Sequence, residues 1–366
     1  MEQEMVLKKE KSMSTNFKQI LAKLTPSIKK DGIMKSLKNT GITLLSILLF
    51  LGLWHMGSKA LYNKEADYKI EKALTERGEE AAAAERACIE SGDSSCQPNT
   101  LPSPSQVWAS LKSLVADHHV ISADKAAFAE KMAATNEKMI AAGKDPIVYT
   151  GRASFIDIVL TSIKTVFAGF LLALLIAVPI GIVIGLSPSL RSAFNWFIQI
   201  FKPVSPVVWY LLVFMIVKTL YIGDSSDNAF VISFISVGFC AMWATLVNTA
   251  MGVASVDKDY INVAKVLKLG TFQKVFKVIL PSSLPLIFTG LRITLSVAWM
   301  VLIAIELLAQ SQGLGLFVWE EFQNGANDSN AKIIVAMFVI GIIGFLLDRL
   351  MLAVQNMVSF NKNEMA

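Results

Sequence analysis

The stretch Asp259–Pro281, DYINVAKVLKLGTFQKVFKVILP, separates two long apolar runs and contains two short amphipathic units, one on each side of Gly270. Apolar residues in each unit recur at the i, i+3, i+4, i+7 spacing of one helix face. They are Tyr260, Val263, Ala264 and Leu267 in the first unit, and Phe272, Val275, Phe276 and Ile279 in the second. Gly270 can supply the sharp turn between the units. The sequence therefore predicts a helix, a turn and a helix on the water side of a membrane, presenting a knob to a soluble partner.

The composition outside this stretch is that of a polytopic membrane protein. Of the 366 residues 54% are hydrophobic and only 17% are charged, and the mean hydropathy is +0.52. Such a chain exposes much of its apolar surface to lipid. The net charge of +5 bears on orientation in the membrane rather than on nucleic acid, because basic and aromatic residues are not interleaved as in a nucleic-acid surface.

The hydropathy pattern predicts an all-α protein with about six transmembrane helices. The predicted spans are 41–60, 154–186, 204–221, 229–251, 283–309 and 332–354. The second is too long for one straight span, which indicates a kink or an interfacial lead-in. Segment 1–40 carries nine lysines against four acidic residues, and the loop 252–282 carries five lysines against two aspartates. By the positive-inside rule both are cytoplasmic, which places segment 1–40 and the tail 359–366 on the same side of a bacterial inner membrane.

The segment 62–151 is predicted to be a mostly helical insertion on the outer, periplasmic side. It contains Ala-Glu-rich and Ala-Lys-rich stretches and more acidic than basic residues. These helical arms are either a docking surface for a partner protein or tolerated padding. Cys88 and Cys96 lie within it, and because the periplasm is oxidising we expect a disulfide between them, with two free thiols as the alternative. Cys240 lies in an apolar run and is expected to be a packing residue.

The central stretch also resembles the EAA loop of ABC importer permeases, which reads Glu-Ala-Ala, three residues, Gly, and further on a hydrophobic residue, one residue and Leu-Pro. Asn262, Val263 and Ala264 take the Glu-Ala-Ala places, Lys268 takes the glycine place, and 278–281 closes the motif. Three of these positions depart from the general pattern. The variant form DYxNVAxVLxL, followed by LPxxLPxIFTGLRI, resembles the nitrate, bicarbonate, taurine and sulfonate permease group, and the nitrate branch most.

The resemblance implies a type I permease core over 153–358, with the loop 252–282 docking in a groove of an ATP-hydrolysing subunit. It further implies two permease copies, a periplasmic substrate-binding protein and ATP-Mg on the partner subunit, with no cofactor on this chain. The residues expected to couple the permease to the ATPase are Asp259, Asn262, Ala264, Leu267, Lys268, Gly270, Leu280 and Pro281. An ordinary amphipathic surface hairpin is the alternative.

The sequence contains no pattern typical of an enzyme. It has no G-x-x-x-x-G-K-[ST] phosphate loop, no His and Cys cluster for a metal, and no nucleophile with a neighbouring base. Ionisable and indole side chains within the spans are the candidates for a translocation pathway, because intramembrane charges usually face a cavity or a partner. These candidates are Lys164, Trp209, Arg292, Trp299 and Glu306.

Each pathway candidate has a structural alternative. Lys164 can extend to the interface or pair with Asp157, Arg292 can be an anchor, and the tryptophans can be packing or belt residues. Glu306 resembles the glutamate that the family carries before a Gly-Leu-Gly turn, matched here by 313–315. It can act as a gate or as a structural partner for a nearby donor.

Together these features predict a permease subunit of an ABC importer for a small oxyanion, most like nitrate. Taurine or another sulfonate, and bicarbonate, stay open as substrates. A transporter driven by an ion gradient would need inverted repeats and paired charges near the middle of the bilayer, and neither is evident. A membrane anchor would need neither a docking loop nor the helix breaks at Pro179, Gly181 and Pro206.

Overall fold

The computed structural model describes residues 30–92, 96–220 and 225–358, and within these ranges every regular element is a helix. Residues 1–29 of the predicted basic segment and the predicted tail 359–366 lie outside the described residues. The chain divides into two compact units, Met1–Asn63 and Lys64–Ala366.

Helix α1, Lys30–Arg77, forms the described part of the first unit and continues past its boundary. It extends beyond the predicted end of the first span near residue 60, because 58–77 contains neither Pro nor Gly and is rich in good helix formers. Gly78, at φ 88°, ends it. The large apolar side chains between residues 42 and 53 are exposed, which suits a helix that faces lipid.

Two further helices form most of the insertion. Helix α2, Glu79–Ser91, ends at Gly92 in the left-handed conformation. A disulfide joins Cys88, in the last turn of α2, to Cys96, with the two Cα atoms 6.0 Å apart. The bond therefore closes the loop that follows α2.

Helix α3, Pro104–Ala141, begins with a capping box in which Ser103 and Gln106 each bond the backbone of the other. Its buried residues recur every seven positions and are Val107, Leu114 and Ile121. One narrow stripe of α3 thus packs on the rest of the second unit, where it contacts α12 and the start of α4.

The remaining helices form the membrane core. They are α4 Phe155–Leu186, α5 Pro188–Phe201, α6 Pro206–Leu220, α7 Ser225–Ala254, α8 Lys258–Val266, α9 Thr271–Lys274, α10 Leu280–Ala309, α11 Leu314–Asn324 and α12 Asn327–Val358, with a short π-helix, Val275–Ile279, between α9 and α10. Five helices of the described chain are long and apolar enough to cross a membrane. The predicted third span is instead the pair α5 and α6, bent by 99°, and counting that pair as one span gives six.

Helices α4 and α7 pack closely because small residues line their contact. A Cβ atom on Gly169 would lie 2.9 Å from the Phe234 carbonyl, and one on Gly181 would lie 2.9 Å from the Leu246 carbonyl. The same holds for Gly185, whose added Cβ would lie 2.7 Å from a carbonyl of α7. Backbones approach closely at such positions in membrane proteins, so Gly181 serves helix packing in this fold.

The contact between α7 and α10 is held by a buried hydroxyl. Thr294 Oγ1 donates to the Ala241 carbonyl at 3.0 Å and accepts from the Thr245 N–H at 3.1 Å. Those two backbone groups are the pair that an α-helix joins to each other. A side chain of α10 is therefore inserted into the hydrogen-bond ladder of α7, which fixes the register of the two helices.

Candidate functional site

The central loop folds as the predicted helix, turn and helix, but the turn is built differently. Helix α8 is capped by Asp257, whose side chain accepts from the Asp259 N–H at 3.0 Å. The turn that follows α8 contains Lys268, which has φ 50°, and the Leu269 N–H bonds the Ala264 carbonyl at 3.0 Å. Gly270 has φ −61° and ψ 159°, a conformation open to any residue. The prediction that Gly270 makes the sharp turn is wrong, because Lys268 adopts the left-handed conformation.

The apolar face of this element is divided between the protein and solvent. Ala264 is 1% exposed, whereas Leu267 is 65% exposed. The other exposed apolar side chains of the element are Tyr260, Val263, Val266, Phe272 and Phe276. Phe272 and Phe276 contact each other, with ring centroids 4.5 Å apart. We call the exposed set, Tyr260, Val263, Val266, Leu267, Phe272 and Phe276, the loop patch. Several exposed large apolar side chains on one short element are typical of an interaction site.

The loop patch is joined firmly to the membrane core. Val275 and Ile279 of the π-helix are buried in a cluster with Val253 and Val256, at the end of α7 and just beyond it. The π-helix runs directly into α10, which begins with Leu280 and has Pro281 in its first turn. A π-helical segment inside a longer helix often occurs at functional sites. A force on the patch would reach both α7 and α10 through this cluster. Asn262 is exposed on α8.

Glu306 lies in a closed hydrogen-bond network rather than in an open cavity. It is 1% exposed, accepts from Ser162 Oγ at 2.7 Å and accepts from the Gly315 N–H at 2.9 Å. Ser162 Oγ in turn accepts from the Leu314 N–H at 2.8 Å. A Cβ on Gly313 would overlap the Glu306 carboxylate. The carboxylate therefore joins α10, α4 and the start of α11, as its structural alternative expects.

Two other pathway candidates join α10 to α12. Arg292 forms a two-pronged ion pair with Asp348, with N···O distances of 2.5 and 2.8 Å. The pair borders an open groove of about 390 Å³. Trp299 is buried, and its indole N–H donates to the Ile340 carbonyl at 3.0 Å. Both side chains serve as links between helices in this fold, which favours the anchor alternative for Arg292.

Lys164 and Trp209 occupy separate positions. Lys164 is exposed on α4, and its suggested partner Asp157 pairs instead with Lys125 of the insertion at 2.5 Å. Trp209, on α6, packs in an aromatic cluster with Trp243 of α7, their ring centroids 6.1 Å apart. Within a single copy, the five pathway candidates do not meet at one site. Sequence reasoning missed Trp243, because nothing in its spacing distinguishes it from other packing aromatics.

The insertion is fastened to the core by polar contacts besides the Lys125 pair. His118 Nδ1 lies 2.7 Å from Ser154 Oγ, at the cap of α4. Asn99 Nδ2 donates to the Gly325 carbonyl at 3.0 Å, after the end of α11. A cavity of about 460 Å³ lies between α3, the start of α4 and α11. The side of the insertion that faces the core is thus held in place by specific contacts, and we call this side the base of the insertion.

The sequence of the core matches known transport proteins. A family model described as "Binding-protein-dependent transport system inner membrane component" matches residues 177–359. The nitrate import permease protein NrtB of Synechococcus elongatus is 34% identical over 201 residues, covering 55% of this chain and 69% of that protein. The bicarbonate transport system permease protein CmpB of Synechocystis is also 34% identical over 201 residues, covering 55% and 68%.

One further curated relative and one solved structure are also similar to this chain. The taurine transport system permease protein TauC of Escherichia coli is 33% identical over 208 residues, covering 55% of this chain and 71% of that protein. Among solved structures, an inward-facing form of the MetNI methionine ABC transporter is similar with a TM-score of 0.47 and 16% identity, covering 56% of this chain and 95% of that one. The family match and the curated relatives support the predicted resemblance, and this chain belongs to the family of binding-protein-dependent transport system inner membrane components.

Proposed function

We propose that the chain is the permease subunit of an ABC importer for a small oxyanion, with nitrate as the first candidate. The relatives named above import nitrate, bicarbonate or taurine, and each of these substrates carries a compact group of oxygens with negative charge. Taurine or another sulfonate, and bicarbonate, are the alternative substrates. Family membership favours this reading over a transporter driven by an ion gradient, since the family serves binding-protein-dependent transport.

The observation that carries the proposal is the loop patch. An ATPase subunit would receive its exposed apolar residues in a groove, and ATP-Mg bound there would supply the energy, with no cofactor on this chain. Burying an apolar surface of this kind is favourable, at about 25 cal/mol per Å². Closure of the ATPase dimer would then push the patch, and the buried Val275 and Ile279 would pass the displacement to α7 and α10. The proposed coupling residues are Asp259, Asn262, Ala264, Leu267, Lys268, Gly270, Leu280 and Pro281.

The assembly we propose has two copies of this chain in the membrane lipid, two ATPase subunits and a periplasmic binding protein. Each copy would have six spans in a type I permease arrangement, counting α5 and α6 as one, with both termini cytoplasmic. The insertion 62–151 would lie in the periplasm, where its fixed base favours a docking surface for the binding protein over tolerated padding. Of the pathway candidates, Lys164 and Trp209 remain proposals for the pathway lining, while Arg292, Trp299 and Glu306 are proposed to position the helices that form it.

The loop assignment is tested by the substitution Leu267→Asp. A carboxylate in the docking groove would have to be desolvated, so we expect ATP hydrolysis stimulated by the loaded binding protein to be abolished while the chain still reaches the membrane. Met357→Asp makes the same change of charge on an exposed apolar residue in the last turn of α12, outside the loop patch and the insertion, and serves as the matched control. Normal coupling in the Leu267→Asp variant would remove the basis for the assignment.

The substrate is tested on the intact complex. The tagged chain is purified from its native membrane with its partners, identified by mass spectrometry, and assayed for ATP hydrolysis with nitrate, bicarbonate or taurine, each with its own binding protein. We expect an ATPase to co-purify and to be stimulated by one of the three, nitrate first. Absence of any ATPase after gentle solubilisation would contradict the importer.

A further inference from the structure

Two buried hydrogen-bond donors in the membrane core are without acceptors. The indole N–H groups of Trp209 and Trp243 have no partner in the described part of the chain, and Trp243 is only 3% exposed. Burying a donor without an acceptor costs about 1–3 kcal/mol, and most buried side-chain donors in proteins are satisfied. Two unpaired donors in one cluster therefore indicate that a ligand with hydrogen-bond acceptors binds there.

The side chains packed around the two indoles are aliphatic or aromatic. The Phe239 ring is stacked on Trp209, with centroids 5.6 Å apart, and the Phe201 ring lies 6.0 Å from Trp209 and 6.2 Å from Trp243. These rings offer positively polarised edges but no oxygen. An occupant that fits here accepts hydrogen bonds and need not donate any.

The cluster lies beside a break in a membrane span. Residues 202–205 separate α5 from α6, and the two helices are bent by 99°. Lys202, which directly follows Phe201, is exposed at the break. The negative C-terminal end of α5 and the positive N-terminal end of α6 both lie at the break, so the two helix dipoles offset each other there and the indole donors carry the argument. The Val207 N–H donates to Ser205 Oγ at 3.3 Å and is therefore not a free donor at the break.

From these observations we propose that the break between α5 and α6 contains a site for a small oxyanion, whose oxygens accept hydrogen bonds from the indole N–H groups of Trp243 and Trp209. The inference rests on the proposed function of the chain as an oxyanion permease and adds a recognition step within the membrane. Discontinuous membrane helices form substrate sites of this kind in transporters. Hydrogen bonds to a charged acceptor are about twice as strong as those to a neutral one.

Indole N–H donors suit a site that binds an anion briefly during transport rather than one that retains it. Neutral indoles hold an anion without the ion pair that an arginine would form, so the anion can leave again, and conduction requires binding weak enough for release. A water molecule fits the cluster less well. It could accept from both indoles, but a buried water makes about three hydrogen bonds, and the aromatic rings around the indoles offer no oxygen to accept from its hydrogens.

The site is tested on the purified full-length chain in detergent, with nitrate as the probe and gluconate replacing other anions. Thermal unfolding is followed as nitrate is titrated against wild type, Trp243→Phe and Trp209→Phe. Trp299→Phe is the matched control, because the N–H that it removes already bonds the Ile340 carbonyl. We expect nitrate to raise the Tm of wild type and of the control, with an apparent affinity at least tenfold weaker in Trp243→Phe and Trp209→Phe.

A second readout separates loss of a ligand group from loss of packing. Without nitrate, Trp243→Phe should keep or raise the Tm, since it removes an unpaired donor, whereas Trp299→Phe should lower the Tm. An equal response to nitrate in Trp243→Phe and wild type, or no response in wild type, would overturn the site. If Trp243→Phe does not fold, the site is tested by the response of the Tm to nitrate in Trp209→Phe, since the Trp209 side chain is only half-buried.

The test also distinguishes this site from the proposed function. In the reconstituted complex with its ATPase and binding protein, Trp243→Phe should lower nitrate uptake at least tenfold. Trp319→Phe, which makes the same change at a partly exposed position of α11, should leave uptake unchanged. If the wild-type complex shows no stimulated ATP hydrolysis, the proposed function fails, while the nitrate titration on the chain alone still decides whether the anion site exists.

Discussion

Lys268 shows how a single residue in the loop adopts a costly conformation. Its φ of 50° lies in the left-handed region, which costs about 1–2 kcal/mol for a residue with a Cβ. Glycine, which occupies this place in the general EAA pattern, avoids that cost. We expect Lys268→Gly to stabilise the turn by about 1 kcal/mol, seen as slower amide hydrogen exchange in residues 258–270.

A second lysine three residues earlier provides the control. Lys265 lies in the last turn of α8, and Lys265→Gly removes the same charge from an ordinary helical position. Glycine costs about 1 kcal/mol in a helix, so exchange in α8 should become faster. The same direction of change in both variants would show that lost charge, rather than backbone conformation, dominates at Lys268.

Glu306 provides a prediction about buried polar groups. Glu306→Ala would leave the Ser162 hydroxyl and the Gly315 N–H buried without their acceptor, which should lower the free energy of unfolding by about 2 to 4 kcal/mol. Glu306→Gln should cost less, because its amide oxygen can accept from Gly315 while its amide nitrogen donates to Ser162. Thermal unfolding of the two variants in detergent measures the difference. Equal losses would contradict the network.

At the scale of helices, the close contact of α4 and α7 can be tested with one methyl group. Gly181→Ala would place a Cβ 2.9 Å from the Leu246 carbonyl, and backbone cannot yield as a flexible side chain can. We expect overpacking to cost about 1–3 kcal/mol, measured as a lower Tm. Gly341→Ala, on α12, is the control: no atom lies within 4 Å of its added Cβ, so Tm should stay equal or rise.

The helices of the core were predictable because long apolar runs indicate membrane spans and amphipathic spacing indicates the apolar face of a helix. Spacing alone could not show that the apolar face at 259–281 would be divided, with Ala264 buried and Leu267 exposed, since partner and core contacts give the same pattern. The third span was predicted as 204–221, which omits α5, because hydropathy does not register the 99° bend between α5 and α6. The orphaned N–H of Trp243 depends on tertiary neighbours and has no signal in the sequence.

At the scale of the whole molecule, three features occupy different levels of the proposed transport path. The loop patch lies after α7, the aromatic cluster at the break between α5 and α6, and the Glu306 network at the opposite end of α10 from the loop. Helices α7 and α10 connect the first of these to the others, and their register is fixed by Thr294. A displacement at the loop would therefore move these two helices together.

The proposed inward transport of an oxyanion requires that the insertion face the periplasm and that the loop patch face the cytoplasm. Lys138→Cys on α3 and Lys265→Cys on α8 place single thiols at exposed positions, in a background with Cys240 replaced by serine and Cys88 and Cys96 joined as a disulfide. A membrane-impermeant maleimide should label Lys138→Cys in intact spheroplasts and Lys265→Cys only after lysis. The reverse pattern would invert the topology, and with it the direction of coupling, because ATP is hydrolysed on the cytoplasmic side.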